Sequence, residues 1–151
     1  MLATLPNTIP SPTANSLVFT PSTIAKAIGG NTCPSWIYHI NRFSDGVFVT
    51  FRDGSQEYIP NSKIFSAFVN KRRDRASTLI ICEILEQAEF LVKNPHKGTL
   101  YTVYLEDYSL RCQCPDYHNQ LAVLGKGCCK HGYAVLFYLG YDSLRAYQQA
   151  H

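Results

Sequence analysis

The chain has 151 residues, of which 46% are hydrophobic, 17% charged and 13% aromatic. That length suits one medium domain or two small ones, and the composition excludes the low-hydrophobicity, high-charge profile of a disordered chain. A formal net charge of +3 gives no support to a polycationic nucleic-acid binder. The longest strictly apolar run, Ala134 to Leu139, falls far short of the roughly 18 residues that a membrane span needs. No basic-then-apolar leader precedes Lys26, the first charged residue. The expectation is a soluble, intracellular protein, cytoplasmic or associated with the nucleoid.

Residues 1–22 hold four of the eight prolines (Pro6, Pro10, Pro12, Pro21) and no charge. This segment is expected to be a mobile or loosely docked arm. With a short helical turn from Thr23 to Ile28, ended by Gly29-Gly30, it makes up region 1–30. Val47, Val49 and Phe51 then alternate with Phe48, Thr50 and Arg52, between the turn pairs Asp45-Gly46 and Asp53-Gly54. The pattern predicts a three-stranded meander at about 36–43, 47–52 and 55–59. Pro60 closes it, and Asn61-Ser62 is placed to cap a helix presenting Ile64, Phe65, Phe68 and Val69 on one face. Meander and helix form the unit 31–75.

Lys71-Arg72-Arg73-Asp74-Arg75 is the one dense charge run, net +3 over five residues. It reads as a solvated linker or helix end, or alternatively as a phosphate-contacting patch through Arg72 and Arg73. Beyond it, Ser77 is placed to cap a helix at about 78–93, with Leu79, Ile80, Leu85, Ala88 and Val92 as its apolar positions and Asn94-Pro95 as its end. From Thr99 the pattern changes. Tyr101, Val103 and Leu105 mark a strand, Glu106-Asp107 a turn, and Ser109 to Cys114 the returning strand. A loop holding Gly125 and Gly127 leads to an apolar helix at about His131 to Leu139, with Gly140 at its C-terminal end. Ser143 to Gln149 predicts one last short helix, completing region 76–151. The expected class is α+β: a meander plus helix, then a helix and a metal-bound β-hairpin–helix (ββα) finger.

Six cysteines carry the most information: Cys33, Cys82, Cys112, Cys114, Cys128 and Cys129. Four fall within eighteen residues, which suits a metal site better than disulfides spread over a secreted fold. In an extended strand, residues two apart face the same side, so Cys112 and Cys114 aim at one point. Cys129 and His131 diverge within a helix and converge only if Cys129 ends the loop and His131 opens the helix. Three thiolates and an imidazole are a standard tetrahedral zinc set, and four protein ligands make a structural site. Zinc with three thiolates is formally −1. Cys128 in place of Cys129, or His118 as a substitute, remains an alternative on spacing alone.

Cys-x-Cys followed by Cys-x-His, with Cys112-Gln113-Cys114-Pro115-Asp116 in the first half and Cys129-Lys130-His131 before an apolar helix, resembles the SWIM-type zinc finger over about 99–140. The strand Tyr101-Thr102-Val103 and Gly140 also suit that family. The resemblance implies Cys112, Cys114, Cys129 and His131 as the ligands of one structural Zn2+, and favours Cys129 over Cys128. It further implies a β-hairpin followed by a helix, and a binding module for DNA or for other proteins. The meander with Phe51-Arg52-Asp53-Gly54, Tyr58 and the helix after it (about 36–70) looks somewhat like the KTSC domain. The chain departs from that family at Asn70-Lys71-Arg72-Arg73, where a small-residue ending is expected.

Catalytic signatures are missing: there is no H-x-E with P-C-x-x-C, no H-E-x-x-H, no G-x-S-x-G and no phosphate loop. The expectation is a non-enzymatic module with no small-molecule substrate. Residues 98–151 balance four basic side chains (Arg111, Lys126, Lys130, Arg145) against four acidic ones (Glu106, Asp107, Asp116, Asp142). Nucleic-acid contact is therefore expected to be local, through Lys126 and Lys130 beside the metal loop together with Arg72 and Arg73. A protein-interaction adaptor without nucleic-acid contact is the alternative.

Overall fold

The computed structural model describes residues 13–86 and 88–151. The first twelve residues of the expected arm lie outside the described residues. The remainder of the arm is docked. Thr13 and Ser16 form a capping box that opens α1 (Ala14–Leu17). The Thr20 hydroxyl accepts the Thr23 N–H at 3.2 Å, and Pro21 takes the first position of α2 (Pro21–Ile28). Val18 and Phe19, between the two helices, are buried with Ile24 and Ala25.

The meander forms as its alternation predicts: β1 (Ile37–Arg42), β2 (Gly46–Phe51) and β3 (Gln56–Pro60), antiparallel in the order β1-β2-β3. Val47 and Val49 are fully buried, and Ile59 on β3 closes the same layer. The next helix, α3 (Asn61–Ala76), starts without a side-chain cap, because Pro60, not Asn61, takes the N-cap position; the Asn61 amide instead donates to the Ser44 carbonyl at 2.9 Å. Ile64, Ala67 and Phe68 face the core at i, i+3, i+4, whereas Phe65 and Val69, expected on the buried face, are exposed. The charge run 71–75 forms the last turns of this helix.

The helix expected at 78–93 does not form. Its residues make a hairpin, β4 (Ile80–Leu85) and β5 (Glu89–Lys93), turned at Glu86, whose φ is +56°. The apolar spacing fits a helix, but the β-branched Ile80, Ile81 and Ile84 fit a pleated surface better. Pairing with β6 (Leu100–Glu106) then buries Phe90 and Val92, two residues apart, on one face. With β7 (Ser109–Cys112) the second sheet runs β4-β5-β6-β7, all antiparallel. Between the hairpin β6–β7 and the apolar helix stands a further helix, α4 (Pro115–Leu124), so the expected ββα finger is a hairpin followed by two helices. The apolar helix α5 (Lys130–Tyr138) packs across the sheet, and α6 (Leu144–Gln149) ends the chain. Gly140 follows α5 with φ +90°, in the left-handed region that favours glycine.

The class is α+β, with two antiparallel sheets and six helices among the described residues. Two apolar clusters result. One gathers Val18, Ile24, Val47, Val49, Ile59, Ile64 and Phe68, and the other Phe90, Val92, Val103, Leu110, Val135 and Leu136 around the cysteines. Helix α3 joins them, giving Phe68 to the first and Ala76 to the second. No described helix is long and apolar enough to cross a membrane.

Candidate metal centre

Cys112, Cys114, Cys129 and His131 are all buried, and one donor atom from each lies within 4.8 Å of every other. Three local features bring them together. Cys112 is the last residue of β7, paired with Val103 on β6, and Cys114 lies two residues beyond the strand end. Cys114 and Cys129 are the N-cap residues of α4 and α5. His131 stands at the second helical position of α5, the loop-to-helix placement that convergence with Cys129 requires.

The two helix starts do more than aim the sulfurs. The Tyr117 N–H donates to Cys114 Sγ at 3.4 Å, and the Gly132 N–H donates to Cys129 Sγ at 3.4 Å. Each sulfur takes the place of the usual Ser or Asp oxygen, and the positive ends of two helix dipoles point at the same spot. The Cys114 N–H adds a longer contact to Cys112 Sγ at 3.5 Å. Backbone amides and helix N-termini favour thiolate over thiol.

Three sulfurs this close cannot all ionise unaided. The Cys112 and Cys129 thiols donate to Cys114, holding it well below the usual thiol range. The same hydrogen bonds push Cys112 up to about 12 and push Cys129 upward as well. These hydrogen bonds oppose ionisation of all three sulfurs at once, and three thiolates require a cation among them. His131 supplies a second sign of fit. Its Nδ1 lies 3.8 Å from Cys129 Sγ, at the spacing of two donors to one ion. In a tetrahedral site with metal–sulfur and metal–nitrogen bonds of standard length, adjacent donors stand about 3.5–3.8 Å apart. The residues therefore fit one metal ion held by a Cys3His set.

Neither alternative ligand belongs to the cluster. Cys128 is half-buried, its thiol pushed up to about 12 by burial, and lines a cavity with Phe68 and Tyr133. His118 is exposed on α4, its ring edge-on to Tyr117. Tyr101, noted in the sequence only as part of a strand, packs its ring 5.0 Å from that of His131.

Gln120 escaped the sequence reading. It is buried on α4; its Oε1 accepts the Cys128 N–H at 3.1 Å, and its Nε2 donates to Asp116 Oδ2 at 3.0 Å and to the Cys128 carbonyl at 3.4 Å. One amide thus clamps the backbone immediately before Cys129 to the helix that Cys114 caps. Nothing in a lone Gln on a polar stretch signals this. Gly127 allows the closeness, since a Cβ there would sit 2.7 Å from Gln120 Cβ.

The basic residues expected to meet phosphate separate into two groups. Arg72 grips Asp116 through Nε and Nη2 at 2.9 and 2.7 Å, with its guanidinium 3.5 Å above the Phe68 ring. Arg73 lies over Tyr133 and Phe137 at 5.9 and 5.6 Å. Lys126 is exposed and Lys130 half-buried beside the metal cluster. Burial lowers the Lys130 amine, and the charges of Lys97 and Arg75 lower it further, so three cations share this edge of the site. Lys97 and Arg75 are exposed; Arg75 belongs to the 71–75 charge run, and Lys97 lies outside the residues expected from the sequence.

Compared with known proteins, the chain matches no family model, no curated protein and no solved structure.

Proposed function

We propose that the protein is a zinc-binding module of the SWIM type whose single Zn2+ is structural and whose task is to bind DNA or act as an accessory at DNA. Zinc is favoured among metals because three thiolates and one imidazole in a tetrahedral arrangement suit its softness and its lack of geometric preference. The observation that carries the structural role is the double cap. Cys114 and Cys129 each cap a helix, so one ion ties β7, α4 and α5 together. Four protein donors leave no coordination position for water or substrate, which supports a non-enzymatic module.

The edge formed by Arg75, Lys97 and Lys130, with Lys126 on the loop before Cys129, supports phosphate contact. Arg72 and Arg73 contribute little to it, being engaged with Asp116 and with aromatic rings. Binding of fluorescent duplex DNA, followed by anisotropy over a salt series, tests the reading. The log of the affinity falls linearly with log salt, and Lys97→Ala with Lys130→Ala flattens the slope by about 0.9 for each phosphate that is no longer neutralised. Absence of binding at low salt overturns it.

The protein-adaptor reading draws on a different feature. A cavity of about 470 Å³ between α3, α4 and the metal loop has apolar walls from Phe65, Phe68, Val69 and Leu124. A cavity of that kind suits the anchor side chain of a protein partner.

A further inference from the structure

Among the described residues, strand β4 is one edge of the second sheet and pairs only with β5. Natural edge strands are usually short, charged or covered, because an open row of amides and carbonyls templates pairing with another chain. The opposite edge, β7, has four residues and is flanked by α4 and α6. By contrast β4 has six residues with Glu83 as the only charge, and its Ile80, Ile84 and Leu85 are 50%, 47% and 37% exposed. Alongside it, toward α5, runs a cleft of about 390 Å³ whose walls include Leu79, Ile81, Ala134, Phe137 and Tyr138.

We infer that β4 is a self-pairing edge, and that two copies of this chain join through antiparallel β4–β4 contact into one eight-stranded sheet. The bulge in β4 sets which of its side chains share a face. Ile81 faces Val92 and Ile84 faces Phe90 across β5, so both point to the α5 side, where Val92 and Phe90 are buried. Ile80 lies opposite Lys93 and Leu85 opposite Glu89, on the other side. In a regular strand Ile81 and Ile84 would face opposite ways; the register shift between Ile81 and Glu83, which leaves Cys82 over, turns them to the same side.

A two-fold axis between Cys82 and Glu83 then matches the two apolar pairs by face and sets Glu83 beside Cys82 of the second copy. Ile81 meets Ile84 of the second copy, and Ile80 meets Leu85 of the second copy. On the α5 side each row across the seam reads Val92, Ile81, then Ile84 and Phe90 of the second copy, a continuous apolar layer. The exposed Ile84 covers the cleft beside Ile81. On the opposite side the row reads Lys93, Ile80, then Leu85 and Glu89 of the second copy, an apolar pair between opposite charges. A shift of one residue either way sets inward side chains against outward ones. On the side away from α5, both rows are closed by Lys93 of one copy and Glu89 of the other, a charge complementarity that favours a second copy.

Sedimentation equilibrium of the full chain under reducing conditions, which prevent disulfide formation through the exposed Cys82, tests the inference. In the tens of micromolar the mass is expected to be twice the 17.0 kDa of the chain. Ile84→Lys, an exposed site whose change leaves the metal content and circular dichroism of the chain as they were, returns it to 17.0 kDa. Leu100→Lys, 50% exposed on β6 away from the seam, leaves the dimer intact. Hydrogen exchange of the β4 amides slows as the dimer forms. A 17.0 kDa species throughout, with fast exchange along β4, overturns the inference and leaves the edge to a strand of another protein. A dimer that survives Ile84→Lys overturns it too, by placing the contact elsewhere.

Discussion

Gln120→Leu is the sharpest single perturbation of the metal loop, because it keeps the volume of the side chain and removes only its polar end. Gln120 is 3% exposed, and its amide serves both the N–H and the carbonyl of Cys128 as well as Asp116. A buried polar group left without a partner costs about 1–3 kcal/mol. Water reaches the half-buried Cys128 and recovers part of that, so the low end applies to each of its two groups, giving a total of about 2 kcal/mol. For a chain of this size that lowers Tm by about 4–8 °C. The effect on the metal is larger in proportion, since residues that hold a ligand's backbone typically change affinity by about 10–100-fold. Thermal unfolding by circular dichroism and competition against a chromogenic chelator measure the two quantities. A variant with the Tm and metal affinity of the parent would refute the idea that this amide holds Cys129 in place.

Other expectations are as direct. Arg72 and Asp116 form a bidentate pair with side chains 13% and 33% exposed, so a double-mutant cycle with Arg72→Met and Asp116→Leu is expected to give a coupling of about 1–2 kcal/mol in urea unfolding; additivity contradicts the pair's role in holding α3 to α4. Metal loading should release protons at neutral pH, because hydrogen bonds within the cluster hold Cys112 and Cys129 above the usual thiol range. The loaded form carries fewer protons than the free one, so affinity rises with pH and falls on acidification, by about tenfold per proton per pH unit; calorimetry in buffers of different ionisation enthalpy counts the protons, and a count of zero contradicts the assignment. Thr20→Ala removes the cap of α2 and should cost about 1 kcal/mol in the same unfolding assay; no change would mean that the segment before Pro21 is not firmly docked.

The sequence and the structure part where tertiary contact decides. The meander was legible because Val47 and Val49 alternate with polar neighbours between two Asp-Gly turns, a local pattern that burial only confirms. The four donors were legible for a similar reason: strand spacing for Cys112 and Cys114, a loop-to-helix step for Cys129 and His131. At 78–93 the apolar positions fitted both periods, and only pairing of Phe90 and Val92 with β6 resolves them into strands. Helix α4 did leave local marks, with Pro115 at the first position, Asp116 in the first turn and Gly125 at the end in the left-handed conformation, but the cysteine at its cap drew the reading toward metal chemistry alone. The roles of Gln120 and Arg72 were not legible, since each depends on a partner distant in sequence or on a loop conformation that no spacing rule encodes.

The central claim is that Cys112, Cys114, Cys129 and His131 hold one zinc ion. The most direct test is metal content per chain on reduced, freshly purified protein, beside Cys112→Ser and Cys128→Ser. The account predicts one zinc in the parent, loss with Cys112→Ser and retention with Cys128→Ser. A parent without zinc, or a Cys128→Ser variant that loses it while Cys112→Ser keeps it, would contradict the account.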